Sequence, residues 1–375
     1  MPGIYVHIPF CSQACHYCDF HFSTSLKIKS RIISCIQREI ELKKKYLSQP
    51  LIESVYFGGG TPSLLSSKHI NQILTSIRQQ FKLAKKVEIT IEANPEDVTE
   101  NKINNWLSIG VNRVSLGVQS FRNKDLKYMN RSHNRNQSLI ALDLLTNSAI
   151  NNICIDLIYG FPHLRDVDWT DNLNQALQFN IQHISCYCLT IEKKTPLYYF
   201  IKNKKEQPLN PEMGARQFLK SRQTLQSEGY IHYEISNFSK PGFKSIHNQN
   251  YWNRSSYIGI GPSAHSFNGY SRQWNISNNT KYCEKIENNT NYYNIEVLTR
   301  KNIINEYILT SIRTSTGIDI ENLSNSMHMQ ELKILKNQIK NLKKLNMVCF
   351  NNEKIILTEK GMLFADSISE DLFLI

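Results

Sequence analysis

The sequence predicts an α/β fold: a parallel sheet with helices packed outside it, joined to a smaller, mostly helical C-terminal domain. Two observations carry this expectation. Segments with strand character alternate with segments of 3.6-residue apolar period, six times in succession, before the pattern fades near residue 231. The chain is also 375 residues long, enough for one large core and a small second one.

The first strand spans Ile4–Ile8 and leads, through a cysteine-rich loop, to a helix over Ile28–Leu47 with Ile32, Ile36 and Ile40 on one face. Ser54–Phe57 is a second strand that ends in Gly58-Gly59-Gly60-Thr61-Pro62. A helix over Ser67–Phe81 follows, with Ile70, Ile73, Leu74 and Ile77 in register. Val87–Ala93 stops at Asn94-Pro95 ahead of a helix over Thr99–Ile109. Arg113–Val118 precedes a helix carrying Leu139, Leu142, Leu144 and Leu145. Asn152–Ile158 breaks at Gly160-Phe161-Pro162 and is followed by Trp169–Phe179. His183–Leu189 is the sixth strand, and Pro211–Glu228 a helix stopped by Gly229. Six units fall short of the eight of a closed barrel, so the sheet should stay open. Gly58–Thr61, Glu92, Gln119, Asp156 and Thr190 fall at or near the C-terminal ends of these strands, the rim where parallel α/β barrels place their chemistry.

Asn237–Asn279, rich in Gly, Pro, Ser, Asn and aromatics, is expected to be a long packed loop with short strands. Within the last part, a helix over Met329–Leu345 sets Leu332, Leu335, Ile339 and Leu342 on one face and Lys333, Lys336, Lys340 and Lys343 on another. A hairpin of Val348–Phe350 and Lys354–Leu357 around Asn351-Asn352 completes a winged-helix-like arrangement. The expected divisions are a core at 1–235, a connecting region at 236–281 and a C-terminal domain at 282–375.

Lysine and arginine number 44 against 32 acidic residues, a net charge of +12. That balance suits nucleic acid, an anionic membrane surface or a carboxylated ligand. No single block carries the excess, and the lysines of Lys333–Lys344 fit a solvated helix face, so nucleic-acid binding is not expected. Nine cysteines behind an N-terminus with no secretory leader indicate a reducing compartment. No stretch approaches the ~20 apolar residues of a membrane helix. The expected location is the cytoplasm, with at most peripheral membrane contact.

Cys11, Cys15 and Cys18 stand together as Cys-Ser-Gln-Ala-Cys-His-Tyr-Cys. Thiolates at this density select zinc or an iron–sulfur cluster. A structural zinc wants a closed four-ligand set, and Asp19-Phe20 supplies no obvious fourth. An iron–sulfur cluster with one open iron is therefore favoured over zinc or idle thiols. Cys35, Cys154, Cys186, Cys188, Cys283 and Cys349 read as buried fillers, with Cys186 and Cys188 on the same side of a strand.

Cys-x3-Cys-x2-Cys resembles the signature of the radical S-adenosylmethionine (SAM) enzymes. Tyr5-Val-His-Ile-Pro-Phe-Cys11, with the aromatic Tyr17 inside the motif, resembles the oxygen-independent coproporphyrinogen III oxidase family. The similarity runs from about Ile4 to the C-terminus and is closest to the haem-chaperone branch. It implies a partial (β/α)6 three-quarter TIM-type barrel, with a [4Fe-4S] cluster on Cys11, Cys15 and Cys18 beside Tyr17. It further implies SAM contacts from Tyr5, Gly59, Gly60, Thr61, Glu92, Gln119, Arg131 and Asp156. Glu92 and Asp156 suit an ammonium or ribose hydroxyls, and Arg131 a carboxylate. Thr190 stands where the oxidases have a small apolar residue.

His247-Asn248-Gln249-Asn250-Tyr251-Trp252 resembles the His-Asn-x-x-Tyr-Trp motif associated with haem in that branch. There an imidazole would meet iron between flat aromatic walls. Taken alone, such a histidine reads as a satisfied residue of a packed loop. His265 is a second candidate, near SAM or haem. Two departures separate the chain from the oxidases: Phe20 replaces a further cysteine, and only ten residues precede Cys11. The implied function is a haem chaperone that passes haem to an acceptor protein, such as a membrane-associated respiratory enzyme. The alternative is a coproporphyrinogen oxidase or another radical SAM enzyme.

Overall fold

The computed structural model describes residues 2–48 and 51–374. Six parallel strands form the centre in chain order: β1 (Gly3–Ile8), β2 (Leu51–Gly59), β3 (Lys82–Ala93), β4 (Arg113–Gln119), β5 (Asn152–Tyr159) and β6 (His183–Cys188). Their side chains alternate with the period of 2 that a pleat imposes. Ile4, Val6, Val55, Phe57, Ile89, Ile91, Val114, Leu116, Ile153 and Ile155 are buried apolar residues of the main core. Tyr5, Tyr56, Glu92, Ser115 and Asp156 occupy the intervening positions, and hydrogen bonds link Tyr56 to Glu92 and Ser115 to Asp156. The expected open barrel is therefore the observed one, with a polar lumen.

The outer helices start where a side-chain oxygen can accept a free N–H of the first turn. Ser66, Thr99, Asn134 and Asn210 do so for Ser67–Gln80, Glu100–Ser108, Arg135–Thr146 and Pro211–Ser227. The first helix is shorter than its apolar period suggested, Lys29–Leu42, because Lys43 turns inward instead of continuing the solvent face.

The largest departure lies beyond residue 230. Asn237–Asn279 does carry short strands, β8 (Asn237–Ser239), β9 (Tyr257–Ile260), β10 (His265–Phe267) and β11 (Ser271–Asn275), flanked by the unforeseen β7 (Ile231–Glu234) and β12 (Tyr293–Val297). They extend both edges of one twelve-stranded sheet in the order β12-β11-β10-β9-β1-β2-β3-β4-β5-β6-β8-β7. Strands of three to five residues between glycines and asparagines carry too little periodicity to be read in isolation. A helix at Ile246–Trp252, also unforeseen, lies among them.

The C-terminal domain begins later than expected. Tyr282, Cys283 and Ile286 belong to the main core, while Ile304, Ile308 and Ile312 open a second core with Leu335, Ile339 and Leu342. That core is completed by a small sheet of β13 (Ile318–Asp319), β14 (Val348–Asn351) and β15 (Lys354–Leu357). The hairpin turns at Asn352-Glu353, both at positive φ, one residue after the predicted place. Two of the presumed filler cysteines also differ: Cys188 is exposed and Cys349 half-buried.

A buried ion pair fixes the sheet extension. Lys43 Nζ lies 2.9 Å from Glu39 Oε1, both side chains being almost wholly enclosed. Glu39 also accepts from Gly261 N–H, Asn275 Nδ2 and the Tyr282 hydroxyl at 2.6–2.7 Å, and Lys43 donates to Gly259 O and Ser266 Oγ. Glu39→Gln leaves the ammonium without its counter-charge. It should lower the unfolding free energy by about 3–5 kcal/mol, read as a fall in urea midpoint at unchanged slope.

Candidate functional site

A cavity of about 560 Å³ opens at the C-terminal ends of the six central strands, under the loop that follows β1. The loop is tied into a ring at its base. Phe10 bridges Ser23, Cys11 N–H donates to Ser23 O at 3.1 Å, and Ser23 N–H donates to Pro9 O at 3.0 Å. Its far side docks on the segment after β4: His16 N–H donates to Met129 O, Asn130 Nδ2 to Ala14 O, and Gln13 Nε2 to Asn130 Oδ1. Held at both ends, the loop turns Cys11, Cys15 and Cys18 into the cavity.

Burial raises the thiols of Cys11 and Cys18, the latter to about 12. Loading any metal group here therefore releases protons. Arg131 Nη1 donates to Cys15 Sγ at 3.4 Å. Among the described residues, no three His, Cys, Asp or Glu side chains converge to hold a single metal ion. Three thiols facing one cavity without a fourth protein donor fit a cluster that keeps one iron open.

The glycine turn closes against this loop. Gly59 has φ of +108°, and a Cβ on Gly60 would stand 2.5 Å from Phe10 O, so no larger residue fits. Gly60 N–H and Thr61 N–H donate to Ile8 O and Phe10 O. Gln119 enters the cavity from a left-handed backbone, φ +64°, where the β4–β5 register shifts. That conformation costs on the order of 1 kcal/mol.

Charge in the cavity is unbalanced locally. Glu92 accepts from the Tyr56 hydroxyl at 2.9 Å and Gly59 N–H at 3.2 Å. Burial, and then the neighbouring Asp156, push its carboxyl up to about 7. Asp156, bonded by Ser115 Oγ at 3.2 Å, is likewise raised, chiefly by burial. Buried Arg113 offsets part of both shifts, but neither carboxyl makes an ion pair among the described residues. Arg131 donates Nη2 to Asn94 Oδ1 at 2.7 Å, while its buried Nε has no hydrogen-bond partner.

Eleven of the residues singled out in the sequence thus share one cavity: Cys11, Cys15, Tyr17, Cys18, Gly59, Gly60, Thr61, Glu92, Gln119, Arg131 and Asp156, with Thr190 beside them. Tyr5 stands behind the wall, 2.9 Å from where a Cβ on Gly58 would be. Asn94, Ser115 and Tyr56, which hold the charged groups, were not anticipated. Tyr56 pairs with Tyr5 and Ser115 with Glu92 across adjacent strands, a neighbourhood the sequence alone does not display.

The His247–Trp252 segment lies elsewhere. Its helix closes the opposite end of the barrel, where a Cβ on Gly3 would meet His247 Nδ1 at 3.1 Å. Glu88 accepts the N–H groups of Ile246 and His247. His247 is buried, its Nδ1 2.9 Å from Ser54 Oγ and its Nε2 3.0 Å from the Tyr251 hydroxyl. Its ring stacks on Tyr56 at 4.9 Å, and burial lowers its pKa to about 3. Both ring nitrogens have protein partners in this conformation. Asn248 and Tyr251 are half-buried in the same helix. Trp252 lines a separate cleft of about 180 Å³ with Tyr307 and Lys354. His265 is exposed on β10, stacked 6.3 Å from Trp274.

The family model of the Radical SAM superfamily matches residues 5–176, and that of the HemN C-terminal domain matches residues 298–364. The fold resembles the crystal structure of coproporphyrinogen III oxidase HemN from Escherichia coli, with a TM-score of 0.85. That likeness covers 99% of this chain and 90% of the other at 20% identity. Fold and cavity together define a radical SAM core with a HemN-type C-terminal domain. Among curated relatives, the heme chaperone HemW of Lactococcus lactis subsp. lactis (strain IL1403) is 32% identical over 377 residues, spanning 99% of this chain and 97% of that protein. The HemW of Bacillus subtilis (strain 168) is 29% identical, spanning 98% of each. The chain belongs to the HemW family.

Glu92 ionises in the unfolded chain near its ordinary 4.5 and in the fold near about 7. The folded state therefore holds the extra proton between those values, and stability falls as pH rises through that window. Glu92→Gln should raise stability of the metal-free protein by about 1–2 kcal/mol at pH 8 and leave it unchanged near pH 4. Urea titrations at the two pH values read the difference.

Proposed function

We propose that the protein is a haem chaperone that holds a [4Fe-4S] cluster and SAM, binds haem, and passes it to an acceptor protein. The observation that carries the cofactor part is the donor set of the cavity: three thiols with no fourth protein ligand, facing Glu92, Asp156 and Arg131. The haem part is supported by membership of a family whose curated relatives are named heme chaperones.

Cys11, Cys15 and Cys18 would hold the cluster, whose open iron supplies one-electron reduction of a chelated sulfonium ligand. The rest is orientation. Arg131 Nε, buried and without a partner, suits a carboxylate. Glu92 and Asp156, neither in an ion pair among the described residues, suit an ammonium or ribose hydroxyls. The backbone of Gly59–Thr61 permits close approach at the strand end, and Ile158 and Leu189 add apolar wall. Because a cation binds the ionised carboxylate, SAM affinity should rise as pH increases through about 7. Equilibrium dialysis of SAM against cluster-loaded protein from pH 6 to pH 8 measures this, and Glu92→Gln should flatten the profile.

On this reading haem passes in the cytoplasm to a haem-requiring acceptor, such as a membrane-associated respiratory enzyme. No helix of the described residues is long and apolar enough to cross a membrane. Phe20, exposed at the cavity mouth, stands where the oxidases carry another cysteine, so decarboxylation of coproporphyrinogen is not the favoured activity.

The test is preparation without oxygen. Iron and sulfide should be found in cluster stoichiometry and fall away in Cys11→Ser, Cys15→Ser and Cys18→Ser. Added haem should form a stable complex that decays when a haem-free acceptor is supplied. Iron-free or zinc-only protein would remove the cofactor assignment, and absence of a haem complex would remove the chaperone one.

A further inference from the structure

A second cavity, about 280 Å³, lies on the other side of the cluster loop. Its walls are mainly rings, with Leu197 and the carboxyls of Asp125 and Glu206 between them. Phe200 meets His16 edge-on at 5.1 Å, and Tyr128 meets His163 edge-on at 5.6 Å. His16 belongs to the loop between Cys15 and Cys18 and is held on three sides. Its N–H donates to Met129 O, its carbonyl accepts from Leu197 N–H at 2.9 Å, and its Nδ1 donates to Tyr128 O at 2.9 Å. A carbonyl can only accept, so Nδ1 is the donor, and in the neutral ring Nε2 is then the nitrogen left to ligate. Nε2 has no partner among the described residues. A backbone carbonyl fixing one ring nitrogen while the other stays open is the arrangement that orients a metal-ligating imidazole.

The rim supplies charge. Lys124 and Lys127, both exposed, line this cavity and make no ion pair among the described residues. His163, opposite, is engaged by Glu206 at 3.3 Å and serves as wall. An imidazole lone pair, flat aromatic sides and two free ammonium groups suit an iron porphyrin with carboxylate arms.

We propose that haem docks over this cavity, with His16 Nε2 as axial ligand to its iron and Lys124 and Lys127 pairing its propionates. The proposal rests on the haem-chaperone reading and locates its cargo. The volume falls below the about 300–1,000 Å³ of pockets that enclose their ligands. Haem would therefore lie across the mouth with one face open, as suits a carrier that must release it. His247, whose nitrogens are both engaged beneath the barrel, is left to hold Tyr56 and the barrel floor.

Ferric haem is titrated into the cluster-loaded full chain and its ligation read by electron paramagnetic resonance. The wild type should show imidazole ligation. His16→Ala should bind haem at least tenfold more weakly and lose that signature, and added imidazole should restore it, with iron and sulfide of the cluster as the control. In case that substitution disturbs the loop, Lys124→Glu with Lys127→Glu provides a second arm. This pair should weaken haem but not haem dimethyl ester, which lacks the carboxylates. If the wild type binds haem and both arms leave it unchanged, or if His247→Ala alone removes the ligation, the proposal is overturned while the chaperone reading stands. If the wild type binds no haem, both fall.

Discussion

The Glu39–Lys43 pair is the contact on which the remaining architecture depends. An ion pair withdrawn from water repays its desolvation only when every remaining donor and acceptor is matched, and here they are. The partners are Gly259 O, Gly261 N–H, Ser266 Oγ, Asn275 Nδ2 and the Tyr282 hydroxyl. They belong to β9, β10, β11, the β9–β10 turn and the helix Asn279–Glu287, the elements that extend the sheet beyond β1. The pair thus positions β9 against β1, and β1 in turn launches the cysteine loop.

Charge in the lumen follows a different rule. Glu92 and Asp156 are not neutralised by each other or by Arg131, whose contacts run to Asn94 and Cys15. Such groups persist because neutral donors, Tyr56 and Ser115, fix their orientation, and because burial shifts both toward the protonated form while Arg113 offsets part of that shift. Beneath them, His247 is satisfied from both sides, and its ring supports Tyr56, which in turn bonds Glu92. The same barrel therefore has a chemically demanding top and a floor in which both His247 nitrogens are engaged.

Much of this was legible in the chain. The six strands follow from alternation, and the candidate site residues came from the family resemblance, with several of them at the strand ends where parallel barrels keep their chemistry. The places and pairing of the peripheral strands were illegible, though short strands were expected near β8–β11, because β7–β12 are short and their stability comes from neighbours, not from their own pattern. Lys43 was illegible for a related reason: a lysine at the end of an amphipathic helix looks like solvent face until a buried glutamate one turn earlier claims it. His247 shows the converse. The motif is plain in sequence, but only coordinates reveal that Ser54 and Tyr251 occupy both nitrogens.

The two borders of the long sheet are unequal. At β7 the border is sealed by the C-terminal domain: Glu234 bridges Thr314, Ile235 N–H donates to Arg313 O, and Ser315 N–H donates to Tyr233 O. At β12 it is bare, with Ile295 and Val297 facing outward. Unpaired strands recruit other strands. The small domain is therefore also a stopper, and a shortened chain lacking it would expose a ribbon at each side and tend to polymerise.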